Sequence, residues 1–178
     1  VRTTLSMIIH KMVACSLAYP KLFILSPNVR IERRDRANSG IHAYEFTQLD
    51  FEIRNATSEN VRSLVEGVIS GLVSNVKKHM KEELTYLGRY DSLGIPENPF
   101  RVYDREELEN RYGSNWETKI SFEAGDPVWI TNVPREFYDY EDFEKGKWDN
   151  YDIILPGYGE VLSGARREWE YSKIVRKM

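Results

Sequence analysis

Two short runs decide the fold: Asn28-Val29-Arg30-Ile31-Glu32 and His42-Ala43-Tyr44-Glu45-Phe46-Thr47-Gln48-Leu49-Asp50-Phe51-Glu52-Ile53. Both alternate with period two, the mark of a strand with one face in and one out. The polar stretch between them ends in Asn38-Ser39-Gly40, which supplies turn chemistry, so the pair reads as a β-hairpin with a long tip. Sorting side chains by face puts Leu49, Phe51 and Ile53 with Glu45 and Thr47, and predicts that side as core. The other face carries Phe46, Gln48, Asp50 and Glu52, and on the first strand Arg30 and Glu32 join them. An arginine fork, an aromatic ring and carboxylates on one surface are parts that a nucleotide and an amino acid would need. Alternation alone fits an ordinary solvated sheet face just as well.

Outward from the hairpin, apolar residues at Leu5, Ile8, Ile9, Met12 and Leu17 fall near helical spacing, and Pro20 ends that run. Thr57 or Ser58 caps a long helix whose stripe runs from Val61 to Val76 and is predicted to lie on a sheet. Residues 87–98 form a connector with Gly and Pro, and Tyr103 to Tyr112 reads as a short helix. Pro127 to Val133 and Tyr151 to Leu155 read as central strands, and Val161 to Ser163 starts another. Glu168 to Lys177 reads as a helix or a further strand. The expected class is α+β, an antiparallel β-sheet flanked by helices.

The chain has 178 residues, enough to bury a core as one domain. With 30% charged and 41% hydrophobic residues it is globular, and a net charge of -3 points to no nucleic-acid affinity of the whole. The single cysteine, Cys15, excludes an internal disulfide and favours a reducing, cytoplasmic setting. No apolar run approaches the roughly 20 residues that would span a bilayer.

Asp152 stands before Ile153-Ile154-Leu155, and Glu160 follows the bend Pro156-Gly157-Tyr158-Gly159. Two carboxylates at neighbouring strand ends suit Mg²⁺, which takes few protein oxygens and fills its shell with water and phosphate. Without further context such a pair is unremarkable.

The hairpin runs resemble the second signature motif of class II aminoacyl-tRNA synthetases, in the aspartate/asparagine branch. The match recurs at Ser6-Met7-Ile8-Ile9-His10-Lys11 and at Glu160-Val161-Leu162-Ser163-Gly164-Ala165-Arg166-Arg167, and so covers most of the chain. It is nearest to the archaeal asparagine synthetases related to aspartyl- and asparaginyl-tRNA synthetases. The resemblance implies the class II antiparallel fold, use of ATP and Mg²⁺, and a homodimer. By position it implies that Arg30 holds the α-phosphate, Glu32 the adenine amino group and His42 the γ-phosphate, with Phe46 stacked on adenine. Gln48 and Asp50 would take the α-ammonium of aspartate, while Lys11 and Arg167 would grip its side-chain carboxylate. Asp152 and Glu160 would carry the metal, with Arg30 and Glu160 as catalytic groups. Two departures stand out: Leu162 and Ser163 where small glycines are common, and Ala165 where a serine is usual.

The first and third signature motifs of that class are missing from these residues, so the chain is expected to be a fragment of a catalytic core. The implied activity is formation of an aspartyl-adenylate and its amidation by ammonia to asparagine. The alternatives are an aspartyl- or asparaginyl-tRNA synthetase core, with tRNA as acceptor, and a non-catalytic paralogue.

Overall fold

The computed structural model describes residues 6–31 and 43–178, which fall into two compact units, Val1–Ala56 and Thr57–Met178. The first unit holds helix α1 (Ile8–Leu17) and the antiparallel pair β1 (Lys21–Val29) and β2 (Glu45–Ile53). β1 joins two runs that the sequence reads as separate strands, the apolar Leu22 to Leu25 and the start of the alternating segment at Asn28, and passes through Pro27. A proline fits because this strand has one partner only among the described residues, so its missing N–H removes no ladder bond on the other side. The register sets Asn28 opposite Phe46, Ser26 opposite Gln48 and Ile24 opposite Asp50, and Arg30 N–H donates to Tyr44 C=O at 2.8 Å. Directly opposed residues share a face, so the sorting by alternation holds.

The burial of the two faces corrects the sequence reading. Leu49, expected in the core, is exposed, as are Phe23, Leu25, Val29 and Ile31 on the first strand and its continuation. The face carrying Leu22, Ile24, Ser26, Phe46 and Asp50 is the more enclosed one. The reason lies in α1, the one helix of this unit among the described residues. Its inward residues are Lys11 and Cys15, and Lys11 is drawn to Asp50 by an ion pair, so the helix meets the polar side.

The second unit begins with α2 (Ser58–His79). Thr57 Oγ1 accepts from Asn60 N–H and Asn60 Oδ1 accepts from Thr57 N–H, a reciprocal cap, with Glu59 in the first turn and Lys77, Lys78 and His79 in the last. After α3 (Lys81–Tyr86) come β3 (Arg101–Asp104), α4 (Arg105–Tyr112), α5 (Trp116–Glu123) and β4 (Val128–Thr131). A short ribbon, β5 (Glu141–Asp142) with β6 (Lys147–Trp148), precedes β7 (Asn150–Leu155), β8 (Gly159–Ala165) and α6 (Tyr171–Lys177). The four-stranded sheet has the order β3-β4-β7-β8, antiparallel except for its parallel edge pair β3–β4. The start of the expected helix at Tyr103 is thus strand, and α5 was not foreseen.

Two layers cover this sheet. Leu108 of α4 and Ile120 of α5 pack with Val128, Ile130 and Ile154 on one face. On the other, Trp129 and Ile153 are fully buried. There Glu66 of α2 accepts from Trp129 Nε1–H at 2.7 Å and from Phe100 N–H at 3.2 Å. α2 therefore anchors through Val65 and Glu66, while Leu64, Val68 and Leu72 of its predicted stripe stay exposed. No helix among the described residues is long and apolar enough to cross a membrane.

Candidate active site

In the first unit, the hairpin brings Arg30 and Phe46 together: the guanidinium carbon lies 4.8 Å from the ring centroid. The contact follows from the register, which places Phe46 opposite Asn28 and so diagonal to Arg30. Along the same face Gln48 is exposed and its Oε1 accepts from Asn28 Nδ2–H at 3.3 Å. Asp50 accepts from Lys11 Nζ at 2.7 Å, with Lys11 5% exposed. Lys11, expected at the substrate, is thus held within its own unit by the residue expected to bind the ammonium. Glu32 and His42 lie outside the described residues.

In the second unit, Asp152 points to the same side of β7 as Ile130 and Ser163, its register partners on β4 and β8. It is nearly buried, and burial pushes its carboxyl above the usual aspartate range against the pull of Arg135. Glu160 at the start of β8 is raised to about 7 by burial first, then by the charges of Asp152 and Glu117, with Arg135 opposing. Arg135 Nη2 stands 2.5 Å from Asp152 Oδ2 and 3.8 Å from Glu160 Oε2, and Nη1–H donates to Ser163 Oγ. One guanidinium nitrogen thus faces both carboxylates. Asp152 Oδ1 is buried with no hydrogen-bond partner among the described residues, which fits an oxygen reserved for a cation. A Mg²⁺ ion would take Asp152 and Glu160 and complete its shell elsewhere. No group of three or more metal-binding side chains occurs among the described residues.

Arg167 pairs with Asp139 at 2.6 Å, and Asp139 is 3% exposed, so burial lifts its carboxyl while Arg167 holds it down. The second cation expected for a substrate carboxylate thus also carries an acid of its own. Sequence reading missed Arg135, Ser163, Glu117 and Asp139 as members of these clusters. Of these, only Ser163 had stood out, as a departure from the family pattern.

This fold is shared with solved structures. Asparaginyl-tRNA synthetase from Entamoeba histolytica in complex with asparaginyl-adenylate superposes with a TM-score of 0.83 over 98% of the chain and 44% of its own, at 18% identity. Aspartyl tRNA synthetase from the same organism gives a TM-score of 0.78 over 99% of the chain and 42% of its own, at 19% identity. In sequence, an asparagine–tRNA ligase of Mesomycoplasma hyopneumoniae is 23% identical over 93% of the chain and 42% of that relative. The chain thus spans about two fifths of the length of the curated relatives it matches. The family model of class II tRNA synthetases (D, K and N) matches residues 4–178, and the chain belongs to that family.

Proposed function

We propose that this chain carries the ATP-binding and amino-acid-activating part of a tRNA ligase for aspartate or asparagine, acting through an aminoacyl-adenylate. The observation that carries this reading is the pairing of Arg30 with Phe46 on the hairpin of a chain of this family. Arg30 offers a fork for the α-phosphate and Phe46 a ring face for adenine, with Glu32 and His42 assigned to the adenine amino group and the γ-phosphate. Gln48 and Asp50 would receive the α-ammonium, with Lys11 and Arg167 toward the side chain. A Mg²⁺ ion held by Asp152 and Glu160 would neutralise phosphate charge. The residues themselves orient the carboxylate for attack on the α-phosphate and hold the phosphate in place.

The sequence reading put ammonia first as acceptor, in an AMP-forming asparagine synthetase. The tRNA ligases among the similar proteins support tRNA instead; a homodimer and a cytoplasmic setting belong to the proposal through the family resemblance alone. The test uses the intact parent protein with ATP and Mg²⁺. Pyrophosphate exchange dependent on aspartate or asparagine, followed by charging of tRNA, is the expected result. Asparagine made from aspartate and ammonium, with no charging, would return the case to the synthetase.

A further inference from the structure

Arg135 has no role in the assignments above, yet among the described residues it is the one cation that touches both proposed metal carboxylates. It comes from the loop after β4 and reaches β7 and β8 together, touching Asp152, Glu160 and Ser163. The fit is incomplete: Asp152 Oδ1 and Arg135 Nε are both buried without a hydrogen-bond partner among the described residues. A side-on fork would have closed both. The guanidinium instead holds one aspartate oxygen and leaves the other open, in a side chain that is 4% exposed.

We propose that Arg135 is a built-in counter-ion of the Asp152–Glu160 site, holding the carboxylates until metal and nucleotide arrive together and then turning to the phosphates. The proposal rests on the nucleotide reading above. Arginine cannot shed its charge, so it must move or repel an incoming divalent ion. A metal ion alone gives it nothing to move toward. A polyphosphate does, because its oxygens match the guanidinium fork. Metal and nucleotide should therefore bind with positive coupling that passes through Arg135. A side chain that only braced the β7–β8 strands would leave that coupling untouched.

The experiment is a Mn²⁺ titration of the intact parent protein by electron paramagnetic resonance, with and without α,β-methylene ATP. Arg135→Gln should bind Mn²⁺ alone about tenfold more tightly and the Mn²⁺–nucleotide pair about tenfold more weakly, within the ordinary span of coupling. Ser163→Ala, which keeps every charge and frees Nη1, should shift Mn²⁺ alone in the same direction by a smaller factor. It also keeps the test open if Arg135→Gln fails to fold. Asp152→Asn is the control. If it leaves Mn²⁺–nucleotide binding unchanged, the metal site itself is misassigned and both readings fall. If it abolishes that binding while Arg135→Gln and Ser163→Ala bind Mn²⁺ like the parent, the counter-ion role alone is overturned.

Discussion

Lys11 of α1 and Asp50 of β2 form a 2.7 Å ion pair in which the lysine is 5% and the aspartate 16% exposed. Breaking such a pair on one side leaves a charge with little water around it, at a cost of about 3 kcal/mol. Lys11→Met and Asp50→Leu should each destabilise the chain by roughly that much. The double variant should recover most of the loss, because no orphan charge remains. Urea denaturation of the four proteins gives the cycle. Additive losses would show that the pair is not held in solution.

The Arg30–Phe46 contact predicts a loss of nucleotide affinity without a loss of fold. Arg30 is exposed, so Arg30→Ala should hardly move the melting temperature. Its ATP affinity in the parent protein should fall by about 1.5–3 kcal/mol, the worth of a charge-assisted contact. Phe46→Leu should weaken ATP and leave pyrophosphate binding alone. Equal ATP affinity in parent and Arg30→Ala, measured by calorimetry, would remove this residue from the site.

Glu160 predicts a pH dependence of folding. Its carboxyl is raised to about 7 from an ordinary 4.5, so the folded chain keeps a proton that the unfolded chain releases. The native state then binds more protons through this window, and stability falls as pH rises from 4.5 toward 7 and levels off above it. The side chain is 41% exposed, so solvent screening shrinks the amplitude. Glu160→Gln should lose this share of the slope and be the more stable protein at pH 7.5 than at 4.5, relative to the parent. Melting curves that stay parallel across that range would contradict the shift.

Gly164 faces Tyr151 across the β7–β8 ladder, and a Cβ there would collide with the tyrosine ring. The ring is itself set edge-on to Trp129, centroids 5.6 Å apart, which limits its retreat. Gly164→Ala should cost about 1–3 kcal/mol, the usual range for overpacking. Gly125, where an added Cβ meets nothing, tolerates alanine by the same criterion. Equal denaturation midpoints for the two variants would show that the Tyr151 ring has room to shift.

The residue pattern by itself determined what is local. Period-two alternation sorted Phe46 with Gln48 and Asp50 on one strand and Arg30 with Asn28 on the other, because side-chain direction follows from the strand backbone. The helix cap was legible as Thr57 or Ser58 because capping is a contact across three residues, and the structure has Thr57. The strand positions of Asp152 and Glu160 were readable for the same reason. What escaped needed partners far apart in the chain. Which hairpin face is enclosed was decided by the Lys11–Asp50 pair, 39 residues apart, and not by which face is more apolar. Arg135 meets Asp152 across 17 residues and Ser163 across 28. Those contacts depend on how β4, β7 and β8 align and where the intervening loop returns. Alternation sets a side chain's face and nothing about what stands opposite; register and loop path do that, and they exist only once the sheet has formed.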